Sequence, residues 1–133
     1  MGIHPKIGIT GLPRSGKSAV LNKVIEMLQN ERSQELRGRG EDPTTCKIIG
    51  GMKTTPVFDG NARVGYSCVN IQSDDSGVMA HKDIDSRHRI LGLGLNPESI
   101  VEVAVPAIQD AMDNYEVIVI DEIGKFSVES EEF

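Results

Sequence analysis

The spacing of apolar positions changes several times along the chain, and each change marks an element. Lys6-Ile7-Gly8-Ile9-Thr10 is short, apolar and β-branched, which predicts a buried strand. Over residues 17–30, Val20, Leu21, Val24, Ile25 and Leu28 recur at helical spacing and predict an amphipathic helix. Residues 29–45 then turn polar, with Gly38, Gly40 and Pro43, so an exposed loop is expected over 31–45. Its Arg32, Arg37 and Arg39 read as a solvated charge cluster rather than a substrate contact.

From Cys46 the texture becomes β-like. Lys47-Ile48-Ile49-Gly50-Gly51-Met52 is a candidate strand that Pro56 interrupts, and Asp59-Gly60-Asn61 is a turn signal. Val64, Tyr66 and Cys68 alternate, with Val69 and Ile71 beyond. Ser73-Asp74-Asp75-Ser76-Gly77 makes a second turn before Val78-Met79-Ala80. The expectation is an antiparallel meander of three short strands, with Asp74 and Asp75 serving turn chemistry rather than a metal. Residues 81–96 are polar and then glycine-rich, and a second exposed loop is expected there. It carries His81, Arg87, His88 and Arg89, none with the partner spacing of a metal site.

Asn96-Pro97-Glu98 signals a helix start, a capping residue followed by proline at the first helical position. Ile100, Val103, Ala104, Ala107, Ile108, Ala111 and Met112 then share one face. Pro106 stands inside that pattern and must kink or restart the helix, because its ring clashes with the carbonyl four residues back. Val117-Ile118-Val119-Ile120 is a continuous apolar run, the texture of a parallel strand buried on both faces.

Candidate chemistry sits at two of these boundaries. Between the first strand and the first helix stands Gly11-Leu12-Pro13-Arg14-Ser15-Gly16-Lys17-Ser18, which reads G-x-x-x-x-G-K-S, a phosphate-binding P-loop (Walker A). A helix start presents unpaired N–H groups and partial positive charge, which suits a polyphosphate. The cradle is expected to comprise Gly11, Leu12, Pro13, Arg14, Ser15, Gly16, Lys17, Ser18 and Ala19. Lys17 is expected to reach the β- and γ-phosphates, and the Ser18 hydroxyl to ligate Mg²⁺. The second boundary is Asp121-Glu122, directly after the apolar run, a Walker B signature. Ligands of open α/β sheets bind beyond the carboxyl ends of strands, where both acids would stand. Asp121 is read as the acid that holds Mg²⁺ through its water shell, helping Ser18 and the phosphates, and Glu122 as the base that aims or deprotonates water. Glu122 as a cap on the following turn is the competing assignment. Lys125 and Arg14 are open between a phosphate contact and a surface charge.

Together these predict an α/β fold: the P-loop NTPase three-layer architecture, with a mainly parallel sheet and an inserted antiparallel meander. Composition narrows the picture further. A length of 133 residues suits one domain, residues 1–133. The net charge is −6, from 14 basic and 20 acidic residues, which argues against a nucleic-acid groove or an anionic membrane as partner. Cys46 and Cys68 are too few for a disulfide framework or a zinc site, and they fit a reducing cytoplasm. No apolar run reaches membrane-spanning length, and the first residues do not form a signal peptide.

Beyond these motifs the chain resembles the THEP1-type nucleoside-triphosphatases, the group that includes the cancer-related nucleoside-triphosphatase. The likeness rests on Ile7-Gly8-Ile9-Thr10-Gly11-Leu12-Pro13 with Gly16-Lys17-Ser18, on Gly50-Gly51-Met52 and on Arg63-Val64-Gly65-Tyr66. It continues through Val103-Ala104-Val105-Pro106-Ala107-Ile108 and Ile120-Asp121-Glu122-Ile123-Gly124-Lys125. The resemblance implies a slow, Mg²⁺-dependent hydrolase of several nucleoside triphosphates with little base preference. The family carries a glycine-lysine-tyrosine-glycine string before the asparagine; Arg89-Ile90-Leu91-Gly92-Leu93-Gly94-Leu95-Asn96 has no such lysine. The family also continues past the point where this chain stops, at Phe133. A domain incomplete at its C-terminus is therefore expected, with a protein partner where the sheet needs completing. A nucleoside or small-molecule kinase, and an inactive nucleotide-binding module, are the alternatives to hydrolysis.

Overall fold

The computed structural model describes residues 6–10 and 16–122. They fall in two compact units, Met1–Cys46 and Lys47–Phe133.

The first unit is dominated by helix α1, Lys17–Gly38. The helix is eight residues longer than the apolar stripe predicts, and the supposed loop 31–45 is helical as far as Gly38. Its second half, from Gln29 to Arg37, is polar but built mostly of strong helix formers, and Arg32 pairs with Glu35 at 2.9 Å one turn on. Leu36 is the one buried residue of α1, while Val20, Val24, Met27 and Leu28 are exposed. A 3₁₀ turn, Pro43–Thr45, follows, its start capped by Asp42, whose Oδ1 accepts from Thr44 N and Oγ1. Those two bonds, the hydroxyl's first, hold the Asp42 carboxyl below its ordinary pKa. Lys6–Thr10 is not a strand: it has no ladder partner among the described residues, and Ile7 and Ile9 are exposed. A β-branched run without a neighbouring strand has nowhere to place its backbone hydrogen bonds except water.

The second unit is a six-stranded sheet with one helical layer. The strands are β1 Ile49–Asp59, β2 Ala62–Asn70, β3 Ser76–His81, β4 Arg89–Ile90, β5 Leu93–Leu95 and β6 Val117–Ile120. Their spatial order is β4-β5-β3-β2-β1-β6. The meander β1-β2-β3 is antiparallel, as its turn signals require, and β6 joins β1 in parallel. Pro56 does not end β1. Strand β6 pairs with Ile49–Met52, so among the described residues β1 is itself an edge strand around Pro56, where a missing N–H is tolerated. The turn 73–77 is built as expected: Asn70 Oδ1 accepts from Gln72 and Ser73 N–H, and Ser73 Oγ accepts from Asp75 N–H.

The expected loop 81–96 also contains structure. Leu91 and Gly92, both at positive φ, make a two-residue hairpin turn between β4 and β5. The Arg89 guanidinium donates to the carbonyls of Ile84, Lys82 and Gly92. Arg89 therefore organises its own loop, which explains ordered strands in a stretch with little apolar content.

The second helical segment has three parts: α2 Pro97–Ser99, a π-turn Ile100–Ala104, and α3 Val105–Asn114. Pro106 restarts the helix in the first turn of α3, where its missing N–H costs least. The wider π-turn before it absorbs the ring. Asn96 stands at the cap position, but its side-chain amide donates to Val78 O and Ser99 Oγ instead of capping. The core lies between this segment and the sheet, formed by Met52, Cys68, Met79, Ile100, Ala104 and Ala107. The Cys68 thiol is fully buried and its pKa is raised by that burial, which marks it as a packing residue.

Candidate functional site

The described candidate phosphate-binding residues of the first unit start at Gly16. Gly16 takes a left-handed conformation, φ 89° and ψ 15°, and forms the cap of α1. Glycine adopts this angle without the penalty a Cβ brings. Lys17, Ser18 and Ala19 make the first turn, with Ser18 and Ala19 exposed and Lys17 partly buried. No side chain caps this start and no acidic residue occupies its first turn. No carboxylate of the first turn itself therefore offsets the helix dipole. Gly11, Leu12, Pro13, Arg14 and Ser15 lie outside the described residues, as does Lys125.

The two candidate acids of the second unit stand at the end of β6. Asp121 N–H donates to Met52 O at 3.0 Å, extending the β1–β6 ladder one residue past the strand. Thr54 Oγ1 donates to Asp121 O at 2.7 Å. Both backbone groups of Asp121 are thus held by β1, and the carboxylates of Asp121 and Glu122 follow at the carboxyl end of the strand. Asp121 is half-buried and Glu122 exposed.

What holds β6 in place was only partly legible. Gly51, at φ 126°, pairs with Val119, and a Cβ there would run into the Val119 carbonyl. The Gly51 N–H donates to Gln72 Oε1 at 2.8 Å, and Gln72 Nε2 donates to Ala107 O and Asp110 Oδ2. Gln72 therefore ties the strand beside the acids to α3. Donation from Gln72, then from Asn114, holds the Asp110 carboxyl below its ordinary range. Thr54 and Gln72 belong to no recognisable motif, and nothing in the sequence singled them out.

Strand β6 departs from expectation in one respect. It lies at the sheet's edge among the described residues, and Ile118 and Ile120 are exposed while Val119 is buried. One face of the apolar run is packed, not two.

A family model described as NTPase matches residues 6–133. The chain belongs to that NTPase family. It is similar to the nucleoside-triphosphatase THEP1 of Picrophilus torridus, 33% identical over 120 residues that make up 90% of this chain and 59% of the relative. It is similar also to the THEP1 of Methanothermobacter thermautotrophicus, 36% identical over 128 residues, 96% of this chain and 65% of the relative. The crystal structure of THEP1 from Aquifex aeolicus shares the fold, with a TM-score of 0.55 at 22% identity over 80% of this chain and 57% of that one. The chain thus spans about three fifths of the length of the curated relatives it matches.

Within this NTPase-family chain, the strings that carried the resemblance have geometric roles. Gly50-Gly51-Met52 lets β6 approach β1, and Val105-Pro106-Ala107 forms the helix restart over the core. Among the described residues no three His, Cys, Asp or Glu side chains cluster to hold a metal, and Asp74-Asp75 is a turn. No helix among them is long and apolar enough to cross a membrane.

Proposed function

We propose that the protein hydrolyses nucleoside triphosphates to the diphosphate and inorganic phosphate in a Mg²⁺-dependent reaction. The observation that carries this reading is the Gly16-Lys17-Ser18 start of α1: a left-handed glycine opening a 22-residue helix at the end of a G-x-x-x-x-G-K-S string. Membership of the NTPase family and the two acids ending β6 support the same chemistry.

The donor set suits magnesium. A hydroxyl and a carboxylate are hard oxygen ligands, and Mg²⁺ is usually held by one or two carboxylates plus substrate phosphates. Ser18 and Asp121 would hold the ion, which when bound neutralises charge on the phosphate oxygens. The chain's own groups do the rest. The N–H groups of the loop and of the first turn of α1 bind the polyphosphate, and Lys17 adds a positive charge at its β- and γ-oxygens. Glu122, exposed at the strand's carboxyl end, accepts a hydrogen bond from the attacking water and orients it. Several bases are accepted, as the resemblance to the THEP1-type nucleoside-triphosphatases implies.

Phosphate release from ATP and other triphosphates, measured with and without Mg²⁺, tests the reading. Lys17→Ala should weaken nucleotide binding. Glu122→Gln should bind nucleotide normally and fail to release phosphate; retained turnover removes Glu122 as the base. Phosphate transfer to an added nucleoside, instead of to water, would replace hydrolysis with a kinase reaction.

A further inference from the structure

Strand pairing between β1 and β6 ends at Met52–Ile120, one residue short of the acids. Two bonds of different kinds then tie Asp121 to β1. The Asp121 N–H goes to the Met52 carbonyl at 3.0 Å, a bond that any residue except proline could make at this position. The Asp121 carbonyl accepts from the Thr54 hydroxyl at 2.7 Å, and this bond exists because residue 54 carries a hydroxyl. Threonine is β-branched and stiff at χ1, so the strand backbone dictates where that hydroxyl stands.

Packing does little for this end of β6. Ile118 and Ile120 are 42% and 38% exposed, so hydrogen bonds carry more of its placement than they would in a strand buried on both faces. The two bonds to Asp121 flank a single Cα. The first pins the peptide plane before it and the second pins the plane after it. With both planes fixed, the direction of the Cα–Cβ bond is fixed, and with it the point from which the carboxylate extends. Losing the second bond frees one peptide plane while the first still holds the strand end. The hydroxyl therefore governs the aim of one acid more than the integrity of the sheet.

We infer that Thr54 is a positioning residue for Asp121, its hydroxyl setting how well that carboxylate serves a divalent cation. The inference rests on the hydrolase reading above for the task of Asp121, whereas Met52, Thr54 and Asp121 themselves all belong to the second unit. Groups that orient a metal's ligands without touching the metal typically change its affinity by about 10–100-fold when removed. Thr54 holds the backbone of the acid and not its carboxylate, so the low end of that range is expected.

The test reads the magnesium contribution through nucleotide binding, without turnover. Calorimetry gives the Kd for an ATP analogue with a non-hydrolysable imido link between its β- and γ-phosphates, once with Mg²⁺ and once with EDTA. The ratio of the two is the gain that magnesium supplies. In Thr54→Val, which keeps the side chain's shape and loses the hydroxyl, the gain should fall about tenfold while the EDTA value stays at that of wild type. Thr54→Ser should restore the gain. Thr55→Val, one residue on and on the opposite face of β1, should leave it unchanged. A merely structural threonine gives another pattern: affinity falls equally with and without Mg²⁺, or melting drops while the gain persists. Either result overturns the assignment, as does a Thr54→Ser protein that fails to recover the gain or an equal fall in Thr55→Val. If Thr54→Val does not fold, Thr54→Ala replaces it with the same expected fall. A wild-type protein that gains nothing from Mg²⁺ defeats the magnesium part of the hydrolase reading and the assignment together; a gain that survives Thr54→Val defeats the assignment alone.

Discussion

Gly51 is the position at which a single methyl group should do most damage. Its φ of 126° lies where only glycine is comfortable, and an added Cβ meets the Val119 carbonyl of the neighbouring strand. Forcing alanine into that backbone conformation costs about 1–3 kcal/mol. Overpacking against a fixed backbone adds about 1–3 kcal/mol more. A total of roughly 2–6 kcal/mol is a large share of the 5–15 kcal/mol that holds a domain together. At a few degrees per kcal/mol for a chain of this size, the melting temperature of Gly51→Ala should fall by about 10–20 °C. Gly50→Ala is the control. It has no positive φ, but its Cβ would meet Tyr115 Cγ at 2.9 Å, Ala111 Cβ at 3.1 Å and Gln72 Oε1 at 3.2 Å, so α3 has to shift slightly. That variant should lose about 1–3 kcal/mol, less than Gly51→Ala because no backbone strain is added. Melting followed by far-ultraviolet circular dichroism provides the comparison, and nucleotide affinity at a temperature where both variants are folded provides a second readout. Because Gly51 sets the approach of β6, its variant should also bind Mg-nucleotide more weakly through the displaced Asp121. A Gly51→Ala protein melting within 3 °C of wild type, or above Gly50→Ala, would refute this account of the glycine pair.

Further consequences follow from the same contacts. Gln72→Leu strands the Gly51 N–H and the Ala107 carbonyl and should cost about 1–3 kcal/mol in urea unfolding, with Gln72→Glu no substitute because it brings a carboxylate against Asp110. Arg89→Ala removes three carbonyl contacts from an exposed loop; hydrogen exchange should quicken over residues 82–95 with global stability falling by about 1 kcal/mol. Asp110 has a depressed pKa in the fold, so its contribution is complete above the unfolded value near pH 4 and disappears on acidification through the lower folded value. Asp110→Asn should therefore flatten the acid limb of the stability profile. Cys68 has the opposite sign: its raised pKa keeps its contribution intact below about pH 8.5 and removes it as pH climbs toward the folded value, and Cys68→Ala should reduce that alkaline loss.

The elements visible in the sequence were those whose signal is local. The start of α1, the turn at 73–77, the meander and the proline restart at Pro106 each depend on residues within a few positions of one another. The errors fell where the deciding partner is either weakly hydrophobic or distant. Residues 31–38 are helical because charged and amide side chains favour the helix, a preference that an apolar stripe cannot report. Strands β4 and β5 depend on one arginine reaching three carbonyls, which no periodicity displays. Lys6–Thr10 reads as a strand and is not one among the described residues, since β-propensity gives no ladder without a neighbour.

The candidate site divides along the same line. Gly16, Lys17, Ser18, Asp121 and Glu122 stand out in the sequence as candidates because a phosphate loop and a magnesium acid would restrict residue type at short spacing. The residues that hold Asp121 do not, because their role exists only across strands: Thr54 is 67 positions from Asp121, and Gln72 is 21 from Gly51 and 35 from Ala107. Polar side chains at such separations are indistinguishable in sequence from solvated ones. Here they supply hydrogen bonds that an edge strand with two exposed isoleucines does not obtain from packing alone. The acid pair is therefore fixed less by the apolar run that announces it than by a threonine and a glutamine that nothing announces.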